Sequence, residues 1–299
     1  MRLAALDIGS NTVHVLVADV VRDKLEDVAH YVEMPELGPH VARTGAIGDR
    51  AATALRAVRK VLAEARKHGY DTLIACATEA VRQASDREAF ARQVEPVLGA
   101  PLHIISGERE AALSFLGAAS RHASRGEWVL IDLGGGSTEV VIARGSEMIR
   151  ASKLPIGSGV LSATYLSDPP RPEERARLRR AALRAMAGAP DGEVDRLVAT
   201  GGTASNLPSV LARRNPPPLL TTADLLACEA RLDRKRASEV ARELEMPLAR
   251  VKALRGGVET LLLFLDWYGL AVLHVSHEGL RHGMLLAYLQ SGGNWWRDG

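Results

Sequence analysis

Two short segments of this 299-residue chain join an aspartate to a glycine turn beside hydroxyl side chains, a combination suited to phosphate chemistry. The first is Asp7-Ile8-Gly9-Ser10-Asn11-Thr12 and the second is Asp132-Leu133-Gly134-Gly135-Gly136-Ser137-Thr138. Glycine has no Cβ, so phosphate oxygens can approach the backbone N–H groups of such a turn. Ser10, Thr12, Ser137 and Thr138 add hydroxyl donors, and Asn11 lies in the same turn as Ser10 and Thr12. Asp7 and Asp132 each close an apolar run, LAAL and WVLI. A carboxylate at a strand end is placed to hold a divalent cation directly or through water.

The two segments are copies of one unit. At an offset of 125 residues, DIGSNTVHVLVA (7–18) lies over DLGGGSTEVVIA (132–143) without a gap. Asp7 meets Asp132, Gly9 meets Gly134, Val15 meets Val140 and Ala18 meets Ala143, while His14 falls opposite Glu139. Such a repeat predicts two domains with related cores, each with a strand, a glycine turn and a second strand. A third glycine turn, Gly201-Gly202-Thr203, follows the apolar run RLVAT and reads as a strand-to-helix connection.

These turns need strands and helices to position them. RLAALDIG, NTVHVLVADV and KLEDVAHYVEM read as three strands, and DRAATALRAVRKVLAEARKHG has helical spacing with a glycine stop. DTLIACAT and PLHIIS read as buried strands separated by the helix REAFARQVEPVLG, and EREAALSFLGAAS as a helix after a Ser-Gly start. After the second copy come the helical PEERARLRRAALRAMAGA, the proline-rich surface connection NPPPLLT, the strand GLAVLHVS and the closing helix GLRHGMLLAYLQ. The tail GGNWWRDG is expected to be loosely held. An antiparallel start followed by alternating strands and helices makes the class α/β.

Composition narrows the function. Lys and Arg number 38 against 36 Asp and Glu, a net charge of +2, and aromatics are 4%. That balance excludes a general DNA binder and a stacking platform for single strands, so any polyanion site must be local. Two cysteines, Cys76 and Cys228, exclude a disulfide framework, and Cys76 within LIACAT reads as a small buried hydrophobe. The N-terminus lacks a signal-peptide pattern, and VETLLLFLDWYGLAVLHV is interrupted by Glu259, Asp266 and His274. No membrane span and a cytoplasmic location are therefore expected.

The motifs DIGSNTVHVLVADV (7–20), ATEAVRQA (77–84), IISGEREA (104–111), IDLGGGSTEVVIA (131–143), TGGTASNL (200–207) and GLRHGML (279–285) resemble those of the exopolyphosphatase / guanosine pentaphosphate phosphohydrolase (Ppx/GppA) family, in order and over nearly the whole chain. The resemblance implies two actin-like, ribonuclease H-like domains with an active-site cleft between them. Their expected extents are 1–121 with about 283–299, where the closing helix returns, and 122–282.

It also implies roles. Glu110 of SGEREA matches the catalytic base that activates water, although read alone Glu108 and Glu110 are simply acids in a first helical turn. Arg82 matches an arginine that neutralises a phosphate. Gly9, Ser10, Asn11, Thr12, Gly134, Gly135, Gly136, Ser137, Gly201, Gly202 and Thr203 become the expected phosphate contacts. Asp132 and Glu139, with Asp7, become the expected ligands of Mg²⁺ or another divalent cation. Lys153 and Arg109 are further positive candidates, whereas His14, His274, His277 and His282 read as structural.

The implied reaction is metal-dependent hydrolysis of the terminal phosphoanhydride of inorganic polyphosphate. Hydrolysis of guanosine pentaphosphate, or regulation through binding guanosine polyphosphates with little turnover, is the alternative. A kinase of the shared fold finds no further motif. Longer members carry extra helical domains that hold long polymers, so short chains are the expected preference, and apolar surface near the C-terminal end would support a homodimer. The chain departs from many members at Glu36, where an arginine is common, at Lys252, where an aspartate is common, and at His282, where an acid is common.

Overall fold

The computed structural model describes residues 1–22, 24–211 and 219–298 and divides into two compact units, Met1–Gly117 with Glu278–Gly299, and Ala118–His277. The first unit opens with β1 (Arg2–Ile8), β2 (Val13–Val21) and β3 (Lys24–Glu33), then α1 (Leu37–Thr44) and α2 (Ala51–Arg66). β4 (Thr72–Ala77), α3 (Glu79–Gln83), α4 (Arg87–Leu98) and β5 (Leu102–Ile104) follow, and α5 (Gly107–His122) begins in this unit. Its sheet runs β3-β2-β1-β4-β5, antiparallel across β1–β2–β3 and parallel across β1–β4–β5. β1 is apolar on both faces up to Asp7 because it lies at the centre of this sheet with both faces covered. α2 buries Ala54, Ala57, Val58, Val61, Leu62 and Ala65, the stripe that its i, i+3, i+4 spacing requires.

The second unit contains β6 (Glu127–Leu133), β7 (Thr138–Arg144), β8 (Glu147–Leu154), α6 (Ser158–Tyr165), α7 (Pro172–Met186), β9 (Arg196–Thr200) and α8 (Gly201–Val210). It continues with β10 (Leu219–Thr221), α9 (Thr222–Asp233), α10 (Ala237–Glu243), α11 (Leu248–Trp267) and β11 (Val272–Val275), and α12 (Leu280–Ser291) belongs to the first unit. Its sheet order, β10-β11-β9-β6-β7-β8, is the order of the first sheet with one edge strand added.

The duplication is present in both sheets at the level of single residue pairs. Asp7 stands opposite His14, and Asp132 stands opposite Glu139. The outer hairpins even share an irregularity, between Val17 and Ala18 in one and between Ile142 and Ala143 in the other, positions again 125 residues apart.

Several expectations change. The LLT of the proline-rich connection is β10, paired antiparallel with β11, while Asn215–Pro218 lie outside the described residues. β8 and α6 carry too many polar or small residues to stand out in the sequence; β8 is exposed along most of its length. Among the described residues no helix is long and apolar enough to cross a membrane. The apolar run 258–275 is divided between α11, buried on nearly every side, and β11. Glu259 in α11 is buried and accepts a hydrogen bond from Arg179 at 3.1 Å, which explains a charge inside an apolar run.

The C-terminal tail is not loose. Trp295 is buried, its carbonyl accepts hydrogen bonds from Arg109, and Asp298 accepts from the Ser106 hydroxyl at 2.7 Å. His103 stacks on Trp296, with ring centres 4.4 Å apart. Two aromatic rings bury enough surface to hold a glycine-rich segment. On the opposite side of the first unit, His282 and His30 both bond Asp27, at 2.9 and 2.8 Å. Burial pushes the Asp27 carboxyl up, but these two hydrogen bonds outweigh it and hold the group below the usual carboxylate range. We expect Trp295→Ala to lower the unfolding free energy in urea by about 3–5 kcal/mol, the usual cost of emptying a buried tryptophan site.

Candidate functional site

In each unit the glycine turn is stitched to the segment that follows its outer hairpin. In the second unit the Gly134 carbonyl accepts from the Ser158 N–H at 2.9 Å, and the Gly135 carbonyl accepts from the N–H groups of Gly159 and Val160 at 3.0 and 3.1 Å. A trans peptide sets each carbonyl opposite the N–H of the next residue. The N–H groups of Gly135 and Gly136 therefore point away from α6. In the first unit the Ser10 carbonyl accepts from Gly38 at 2.6 Å and the Asn11 carbonyl from Glu36 at 3.2 Å. The N–H groups of Asn11 and Thr12 accordingly point away from α1. Both turns are closed by the same bond, from Gly9 to the Thr12 carbonyl and from Gly134 to the Ser137 carbonyl. Each presents a row of backbone donors, the chemistry of an anion-binding nest.

The close seating depends on glycine. A Cβ on Gly157 would stand 2.4 Å from backbone atoms of Gly135 and Gly136, and one on Gly38 would stand 2.7 Å from the Ser10 Cβ.

The acidic residues of the second turn face each other across β6 and β7, as Asp132 and Glu139. The Ser137 hydroxyl donates to Glu139 at 2.9 Å. Lys153 on β8 is in register with Glu139, and burial lowers its ammonium to about 8. Gly201 and Gly202 open α8 beside this turn: a Cβ on Gly201 would lie 3.1 Å from the Asp132 carboxylate. Thr203 is buried, with its side chain against Gly257 of α11.

Mg²⁺ keeps several waters and takes one or two protein carboxylates together with phosphate oxygens. The facing pair Asp132 and Glu139 fits that demand, although among the described residues no three His, Cys, Asp or Glu side chains gather as a complete metal cage. Asp7 is occupied differently from its copy. It is buried and accepts from the Arg281 guanidinium at 2.5 Å; burial pushes its carboxyl up and Arg281 pulls it back.

The first unit also brings Arg82 and Glu110 together. Arg82 lies on the short α3 that follows β4, and both its terminal nitrogens reach Oε2 of Glu110, in the first turn of α5, at 3.2 Å. The same guanidinium donates to the Ile105 carbonyl at 2.6 Å and to Glu79. Glu79 and Glu110 are both buried, so one cation lies between two carboxylates that solvent barely reaches. Beneath them sits Cys76, whose thiol is pushed well up by burial and by the charges of Asp7 and Glu110. Arg109 does not join this group; it is spent on the Trp295 carbonyl.

The model of the Ppx/GppA phosphatase family matches residues 16–292. The chain belongs to this family. It is 36% identical over 191 residues to exopolyphosphatase 2 of Mycobacterium tuberculosis, and the match spans 60% of this chain and 60% of that protein's length. The crystal structure of the Aquifex aeolicus Ppx/GppA family member is 27% identical, with a TM-score of 0.79 over 98% of this chain and 99% of that one. An exopolyphosphatase from Cytophaga hutchinsonii, 22% identical, shares the fold with a TM-score of 0.87 over 97% and 98% of the two chains. The architecture is the two-domain actin-like α/β fold of these proteins.

Three residues that touch the candidate site residues carry little or no local signal in the sequence. Glu79 stands three positions before Arg82 in the same motif, a spacing that on a helix puts both on one face. Arg281 lies in the closing motif GLRHGML, but only the packing of α12 brings it to Asp7. Arg250 on α11 lies over the third glycine turn, where a Cβ on Gly202 would meet its guanidinium, and no local pattern marks that contact. We expect Gly157→Ala to displace the Gly134–Gly136 turn and lower phosphatase kcat/KM by about 10²-fold, the scale of an ångström-sized misplacement. Circular dichroism identical to that of the unsubstituted protein, alongside the kinetics, checks that the loss is local.

Proposed function

We propose that this protein is an exopolyphosphatase: water attacks the terminal phosphorus of inorganic polyphosphate, the bridging P–O bond breaks, and orthophosphate leaves. The observation that carries the reading is the buried pair of Glu110 and Arg82, with Oε2 of Glu110 at 3.2 Å from the guanidinium. A carboxylate beside a cation that can bind phosphate is placed to accept a proton from water attacking that phosphate. The identity to exopolyphosphatase 2 agrees with this assignment.

Glu110 takes one proton from the attacking water as the new P–O bond forms. The shortened polyphosphate departs with the electrons of the bridging bond, and Glu110 returns its proton to solvent. Arg82 is the cation of the first unit that would steady the negative phosphoryl oxygens. In the first unit the outward N–H groups of Asn11 and Thr12 would hold phosphate through backbone donors whose orientation is set before binding, and those of Gly135 and Gly136 offer the same donors in the second unit. Asp132 and Glu139 would hold Mg²⁺, which when bound neutralises charge on phosphate oxygens. In this chemistry positioning and charge stabilisation supply most of the rate.

Guanosine pentaphosphate offers the same phosphoanhydride end, so the substrate is decided by assay. With Mg²⁺ present, phosphate release from polyphosphate is expected to exceed release from guanosine pentaphosphate and from ATP; faster release from guanosine pentaphosphate would reassign the substrate. Glu110→Gln is expected to lower kcat by roughly 10²–10⁴, the contribution of a general base. Near-normal kcat in that variant would remove Glu110 from the role.

A further inference from the structure

Glu110 does not have Arg82 to itself. Glu79 opens α3 and Arg82 lies three residues on, so one short helix turn aims both at the same place. The Arg82 Nη2 that touches Glu110 at 3.2 Å also donates to Glu79, and that second contact is the closer one. The other carboxylate oxygen of Glu79 accepts from the Gln83 side chain, which fixes the carboxylate's orientation. Both carboxylates are buried, so water screens neither charge well.

We propose that Glu79 is a positioning residue that sets the charge state of Glu110 by sharing its guanidinium partner Arg82. This inference rests on Glu110 being the base. An arginine paired with one carboxylate favours the ionised, weakly basic form of that group. A second carboxylate on the same arginine opposes this effect by like-charge repulsion, so Glu110 keeps a higher proton affinity. A base must hold the proton it takes, and its effectiveness rises with that affinity. Glu79 also holds the guanidinium in one orientation, with the Ile105 carbonyl on the other side.

Around Glu110, from α3 come Arg82 and Glu79, and from β4 comes Cys76, on which Glu110, Asp7, Arg281 and Arg82 all act and which burial keeps as a neutral thiol. On α5 itself, Arg109 is directed to the tail and Glu108 precedes it. Removing the charge of Glu79 is therefore expected to lower the proton affinity of Glu110, with no other anion on α3 to compensate.

The charge state can be read directly by carbon-13 NMR titration of the full-length protein with labelled glutamate carboxyls, the Glu110 signal being assigned by its loss in Glu110→Gln. In Glu79→Gln, which keeps the size and removes the charge, the Glu110 midpoint is expected to fall by about one pH unit. In Glu79→Asp, which keeps the charge, it is expected to stay near that of the unsubstituted protein. Glu79→Ser gives the same reading as Glu79→Gln if the glutamine variant does not fold. An unchanged Glu110 midpoint in the folded charge-removing variant overturns the proposal. The acidic limb of kcat against pH is the second readout and should move with the NMR midpoint. A midpoint that falls without the limb moving leaves the role of Glu79 standing and refutes Glu110 as the base.

Discussion

A peptide plane cannot point its carbonyl and the following N–H the same way, and both glycine turns of this protein are organised by that rule. The Ser10 and Asn11 carbonyls are bound by backbone donors of Glu36 and Gly38, and the Gly134 and Gly135 carbonyls by donors at the start of α6. Once those carbonyls are fixed, the adjoining N–H groups have one direction left. The donors of each turn are thus oriented by the segment behind it before any anion arrives. The glycines at 38 and 157 allow the seating, because a methyl group at either position would overlap the turn.

The arrangement also lets a protein of net charge +2 present anion-binding donors. Its donors are largely backbone dipoles, which add nothing to the formal charge. Two arginines of the first unit are tied to buried carboxylates: Arg281 to Asp7, and Arg82 to Glu79 and Glu110. Such pairs cost desolvation energy, and they hold a cation in one place at the end of the parallel strands β1 and β4. The carboxyl ends of parallel strands are where open α/β sheets bind their ligands.

The duplicated framework carries different chemistry in its two copies. Position 14 is histidine in one turn, and its counterpart 139 is glutamate in the other. Asp132 consequently faces a second carboxylate, a pair suited to a divalent cation, whereas Asp7 faces a histidine and takes an arginine as its partner. The two copies thus differ in residue type at one register position, while the strand pairing of the two hairpins stays the same.

Much of this was legible in the sequence because it depends on short-range pattern. The strands, the glycine turns and the repeat are set by apolar runs, by turn residues and by a fixed offset of 125, and these survive folding as register pairs. The closeness of Arg82 to Glu110 was not legible from spacing, since 28 residues separate them; a family resemblance named each, but their contact is made by α3 and α5. The tail shows the opposite failure: GGNWWRDG has the composition of a free end, yet Trp295 packs into the apolar cluster with Leu3, Ile105 and Met284, and Arg109 and Ser106 bond the Trp295 carbonyl and Asp298. The elements, the repeat and the kinds of groups present follow from local propensity and periodicity along the chain. Tertiary structure alone decided which charges share a partner, because burial and proximity between segments far apart in the chain set the electrostatics of Glu79, Arg82, Glu110, Asp7 and Arg281.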